Sequence, residues 1–138
     1  MKNKLSIFKD EERGGTLIPF EILNLPFQPK RIFTVTDIPK GSIRGRHAHY
    51  ETQQIIICIK GIIIVYLDDG TDVSEYVLEE GESVFVDRMV WDTQKYVTGE
   101  DVMLVLSSTH YNTEDYILDK DVFYKLAKQN NESNNITL

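Results

Sequence analysis

Cysteine is nearly absent from this chain: the single thiol, Cys58, has no partner for an internal disulfide, which fits a reducing compartment. It lies inside an isoleucine run, where a small buried thiol is an inert core residue rather than a nucleophile. Long apolar runs are missing too. The first fifteen residues, MKNKLSIFKDEERGG, contain no apolar leader, and no later segment approaches the length of a membrane span, so the expectation is a cytoplasmic protein with no membrane partner. Basic charge is also scarce. A formal net charge of −7 is the opposite of a nucleic-acid footprint. Helical periodicity is absent until the last twenty residues, which excludes a parallel α/β fold built on crossover helices. The 138 residues, 41% hydrophobic and 27% charged, make one domain with its own core.

Against these absences stands one dense stretch, Gly41 to Gly61, which reads GSIRGRHAHYETQQIIICIKG. It holds His47 and His49, two of the three histidines. Residues i and i+2 of a strand line one face, so the spacing sends both imidazoles the same way. The run Ile55, Ile56, Ile57, Cys58, Ile59 follows. It is β-branched and short, and predicts a buried strand with the histidine pair at its entrance.

Arginine is concentrated near this pair. Arg13, Arg31, Arg44 and Arg46, four of five arginines, fall in the first third of the chain. Surface solvation accounts for any single one of them. A planar fork that binds phosphate or carboxylate through two hydrogen bonds is what distinguishes arginine from the more numerous lysines, so an anionic small molecule near His47 and His49 is a reasonable expectation. Alternation places Arg46 on the outer face, opposite His47.

In chain order, residues 16–23 and 31–36 are β-rich and separated by NLPFQPK, a loop marked by two prolines. Further strands are expected over the histidine stretch, 62–67, 73–78, 83–86, 90–96 and 102–107. Asp68-Asp69-Gly70-Thr71 is a hairpin turn between two of them. Eight or nine strands with no intervening helix predict an all-β sandwich or jelly roll. Residues 119–129 place Val122, Phe123, Leu126 and Ala127 on one stripe of a short C-terminal helix. Residues 130–138 form a polar tail expected to fray; its sequon Asn135-Ile136-Thr137 is a chance match in the absence of a secretory leader. His110, in a loop after the last strand, reads as a surface residue.

The spacing of Gly41, His47, His49, Gln54 and Gly61 resembles the first cupin motif, with glutamine where metal-binding cupins carry glutamate. GESVFVDRMVWDTQ, from Gly81, resembles the second motif, with Asp92 in place of its histidine. The resemblance implies a cupin double-stranded β-helix, a jelly-roll barrel with a short C-terminal α-helix, over residues 1–129. The positions that would ligate metal hold His47, His49, Gln54 and Asp92. Two strong ligands are replaced, and the expectation is no metal and no other cofactor, although a two-histidine, one-carboxylate set is the competing reading.

A narrower resemblance covers nearly the whole chain. Arg13-Gly14, Lys30-Arg31, RGRHAHYETQQ, Val90-Trp91 and Glu114-Asp115-Tyr116-Ile117 are similar to the sugar 3,4-ketoisomerases, cupins that act on dTDP-4-keto-6-deoxyglucose. That family makes 3-keto precursors of 3-amino-3,6-dideoxy sugars for surface polysaccharides such as O-antigen. The resemblance implies His47 as the base at C3 and His49 as the group moving a proton between the C3 and C4 oxygens. It implies Arg13, Arg31 and Arg44 as ligands of the diphosphate or sugar oxygens, Gln54 as a holder of a sugar oxygen or of a histidine, and Trp91 as pocket wall or core. It also implies a homodimer in which residues 1–24 are exchanged. Where the family carries a shuttle tyrosine this chain has Phe33, so water, Tyr50 or another barrel residue takes over its role. Asp92 either hydrogen-bonds an imidazole or is exposed. The competing functions are a non-catalytic sugar-nucleotide-binding cupin, a metal-dependent cupin enzyme, and a deoxysugar epimerase that inverts C3 and C5.

Overall fold

In the computed structural model, residues 2–136 are described, with side chains through residue 131. Met1, Thr137, Leu138 and hence the end of the sequon lie outside them. The strands are β1 (Lys2–Lys4), β2 (Phe8–Lys9), β3 (Thr16–Leu17), β4 (Arg31–Val35), β5 (Ile43–His49) and β6 (Gln54–Lys60). They continue with β7 (Ile63–Asp68), β8 (Val73–Leu78), β9 (Glu82–Val86), β10 (Trp91–Tyr96), β11 (Val102–Ser107) and β12 (Tyr116–Ile117). One helix, α1 (Lys120–Ile136), ends the fold.

Two five-stranded antiparallel sheets face each other, in the orders β1-β9-β6-β11-β4 and β12-β5-β10-β7-β8, and β2-β3 make a separate hairpin. This is the expected jelly roll. Between the sheets lies the main core, with Ile56 and Cys58 from β6, Ile63 and Val65 from β7, Val84 and Val86 from β9, and Met103 and Val105 from β11. Alternation sends Ile55 and Ile57 to the other face of β6, where Leu5, Phe20, Leu25, Phe27 and Phe85 cover them. Both faces of that strand are therefore dry, which is why its sequence is a continuous apolar run rather than an alternating one. Cys58 is fully buried, and burial pushes its thiol up to about 12, in keeping with an inert core residue.

Four local expectations are corrected. The histidine pair does not open the isoleucine strand; it ends the preceding one, β5, and the turn at residues 50–53 intervenes. Residues 16–23 form only the two residues of β3, followed by a single 3-10 turn at Ile22–Asn24, because Pro19 removes a backbone donor and disfavours the strand. The helix runs to Ile136, past its expected end at 129, since no glycine or proline stops it. The count rises from eight or nine strands to twelve among the described residues because β1, β2 and β12 are pieces of two or three residues, too short to carry a periodic signal.

Candidate active site

The site is built on an irregularity in β5. Opposite β10, Asp92 pairs with His47 and Thr93 with Gly45, so Arg46 is an extra residue in the ladder. Gly45 and Arg46 both take left-handed backbone conformations, at φ 85° and 60°. A Cβ at residue 45 would come within 2.9 Å of the Asp92 carbonyl oxygen, which explains the glycine. This β-bulge shifts the alternation by one. Arg44 and His47, three residues apart, would otherwise face opposite ways; with the bulge they line the same cavity. Arg46 itself is exposed, as expected.

That cavity, about 310 Å³ between the two sheets, is lined by Arg31, Arg44, His47, Gln54, Asp92 and Tyr116 among others. The His47 and His49 rings lie 4.9 Å apart, edge to face. His49 is 5% exposed and opens onto a smaller adjoining cleft, which shares Arg31, Gln54 and Tyr116 with the first and is bordered by His110. Burial lowers both imidazoles. For His47 the Gly45 carbonyl partly opposes this; His49 is held at about 4, by burial and then by His47 beside it, while Asp115 pulls the other way. Both rings are thus neutral at pH 7, the form in which one nitrogen accepts a proton and the other donates.

Tyr116 was not assigned a role from the sequence, yet its ring packs on both imidazoles, 5.1 Å from His47 and 4.6 Å from His49. It arrives there because β12 pairs with the end of β5, Tyr116 opposite His49. Asp115 secures the arrangement: its carboxylate accepts hydrogen bonds from the backbone N–H of Glu51 at 2.8 Å and of Thr52 at 3.1 Å, and from the Thr52 hydroxyl. One residue thereby fixes the turn after the histidines while its neighbour packs on them. Tyr50, 39% exposed, lines neither cavity.

The arginines divide. Arg31 lies with its guanidinium 4.5 Å from the Phe33 ring centroid and 4.9 Å from that of Tyr111, and neither Arg31 nor Arg44 takes part in an ion pair among the described residues. Two unneutralised cations at a cavity mouth suit an anionic ligand. Arg13 is elsewhere. Its side chain is 87% exposed and pairs with Asp10 at 2.7 Å, on the turn between β2 and β3, so a single chain does not bring it to His47. Of the two readings of Trp91, the pocket-wall one is corrected and the core one holds: it faces away from the cavity, 5% exposed, and packs with Ala48, Ile117, Phe123 and Ala127 beneath α1.

The four positions that hold metal in many cupins do not fit one here. The Gln54 amide donates to the Ser107 hydroxyl at 3.1 Å, and Asp92 accepts from Gln94 at 2.7 Å. Among the described residues no three histidine, cysteine, aspartate or glutamate side chains are gathered to bind an ion. Asp92 is neither exposed nor bonded to an imidazole. It is 2% exposed, its second oxygen has no partner among the described residues, and burial raises its carboxyl to about 7. No helix among the described residues is long and apolar enough to cross a membrane.

Residues 2–128 match the family described as FdtA, WxcM-like, C-terminal. The chain belongs to that family. It is 35% identical over 113 residues, 80% of its length and 81% of the other's, to the TDP-4-oxo-6-deoxy-α-D-glucose-3,4-oxoisomerase of Aneurinibacillus thermoaerophilus. The crystal structure of QdtA, a sugar 3,4-ketoisomerase from Thermoanaerobacterium thermosaccharolyticum in complex with TDP, superposes with a TM-score of 0.85 at 28% identity, over 94% of this chain and 95% of that one. A 3,4-ketoisomerase from Helicobacter canadensis gives 0.84 at 30%, over 93% and 96%. The fold of this FdtA-family chain is accordingly the cupin jelly roll of those isomerases.

Proposed function

We propose that this chain is an isomerase, a dTDP-4-keto-6-deoxy-D-glucose 3,4-ketoisomerase that works without metal. The observation that carries the reading is the pair of imidazoles, 4.9 Å apart, with His47 in a cavity that Arg31 and Arg44 also line and His49 in the adjoining cleft that shares Arg31. Moving a ketone from C4 to C3 requires removal of the C3 proton, an enediol, and return of a proton to C4. His47 is the base at C3 and His49 serves the oxygens, each group contributing about 10² to 10⁴ in rate. Arg31 and Arg44 hold the diphosphate or sugar oxygens, and Gln54 borders the sugar. The isomerisation is internally balanced, so no redox cofactor enters. The product is a 3-keto sugar ready for amination.

In this reading the working unit is a cytoplasmic homodimer. The exposed apolar side chains of Phe8, Leu17, Ile22 and Leu23 support an N-terminal segment that covers a second copy. Exchange of residues 1–24 would also carry Arg13, free of the cavity in its own chain, toward the partner's site. Incubating chelator-treated protein with dTDP-4-keto-6-deoxyglucose in deuterated water, with proton NMR of the sugar, tests the activity. A 3-keto sugar deuterated at C4, lost in His47→Asn, is expected; a sugar that binds and returns unchanged overturns the enzyme reading in favour of a binding cupin.

A further inference from the structure

Two adjacent buried imidazoles cannot both become cations at modest cost, because the like charges repel and neither is well solvated. Once His47 takes the C3 proton it is a cation, and His49, whose cationic form is already opposed by burial and by His47, cannot accumulate a second one. The oxygen side of the reaction therefore needs a neutral donor, and a phenol is a stronger acid than the N–H of a neutral imidazole. The cavity offers two phenols, Tyr96 and Tyr116. Tyr96 is excluded: it is fully buried and its hydroxyl donates to Met103 Sδ at 3.4 Å. In the adjoining cleft, Ser107 is bonded to Gln54, Thr52 and Thr109 are bonded to each other, and Tyr111 is 61% exposed. Of the phenols Tyr116 remains, half-buried, in both cavities and against both imidazoles, whereas the Asp92 carboxyl is 2% exposed and bonded to Gln94.

We propose that Tyr116 is a catalytic residue of the isomerisation, its phenol protonating the C4 oxygen while His49 takes the proton of the C3 hydroxyl. This rests on the ketoisomerase reading. As His47 removes the C3 proton, the C3–H electron pair forms the C3–C4 double bond, and the C4 carbonyl π pair takes the phenol proton. The C3 hydroxyl then passes its proton to His49 as the C3 carbonyl forms, and C4 takes a proton from His47, which has exchanged with solvent while the enediol lasts. His49 returns its proton to the phenolate. Every group ends as it began, and only the sugar has changed.

The test measures wild type and Tyr116→Phe with dTDP-4-keto-6-deoxyglucose, alongside dTDP binding and melting temperature. The phenylalanine keeps the ring that packs on the histidines and removes only the hydroxyl. A fall in kcat of about 10²-fold, with dTDP affinity and melting temperature unchanged, is expected. A Tyr116→Phe protein within threefold of wild type overturns the assignment, as does one whose dTDP binding and melting fall together with kcat, since the hydroxyl would then be structural. An inactive wild type instead overturns the ketoisomerase reading itself, so the two failures are distinguishable.

Discussion

β5 and β6 are consecutive in the chain and differ in almost every respect. β6 is paired on both sides, by β9 and β11, in unbroken register over its buried part, with its one irregularity at Ile59 near the far end, and residues Gln54 to Cys58 are all buried. β5 carries a bulge, two left-handed residues and an exposed first half, and its far end is held by a two-residue strand, β12. The regular strand encloses and the irregular one presents. A perfect ladder satisfies every backbone group and leaves no freedom to aim a side chain; one extra residue redirects Arg44 onto the same face as His47 at the cost of a local defect. Stability and chemistry are thus concentrated on neighbouring strands.

That division can be broken at either end. Ile57→Ala on β6 removes a side chain that is 1% exposed and is expected to cost about 2–4 kcal/mol by cavity formation, read by denaturant titration, with kcat of the folded fraction unchanged. Gly45→Ala on β5 should do the reverse. Strain at φ 85° and the 2.9 Å approach to the Asp92 carbonyl dislodge the bulge, and kinetics should show activity down by about 10²-fold, or about 2.7 kcal/mol in the transition state.

Asp92 sharpens the comparison, because it sits opposite the bulge yet behaves as a core residue. Its folded carboxyl is raised from 3.8 to about 7, so the folded state binds more protons than the unfolded one between those values. Its contribution is present in acid and lost as pH rises through that window. Asp92→Asn should therefore raise the melting temperature at pH 8, by an amount equivalent to about 2 kcal/mol, with the gain shrinking toward pH 4. His49 has the opposite sign. Its folded value is depressed to about 4 from 6.5, so the unfolded chain takes up the extra proton and stability falls as pH drops from 6.5 toward 4; His49→Gln should flatten that slope in melting curves. The smallest effect is expected from Trp91→Phe. With the ring outside the cavity and under α1, KM for the sugar nucleotide should change by less than about twofold, while stability falls slightly from lost packing.

Much of this was legible from residue order alone. Alternation put both imidazoles on one face, β-branching and turn residues marked the strands, and the family motifs identified the jelly roll. These are local properties, written in spacings of two residues or in short turns, and the backbone obeys them wherever it lies. What the tertiary structure decided is non-local. Tyr116 meets His49 across 67 positions of sequence through a strand too short to show a period; Arg44 reaches the cavity through a one-residue shift that strict alternation forbids; Trp91 is claimed by a helix rather than by the pocket; and Asp92 is sealed without an ionic partner. Which side chain faces which across two sheets depends on pairing register and sheet packing, and neither leaves a trace in the neighbouring residues.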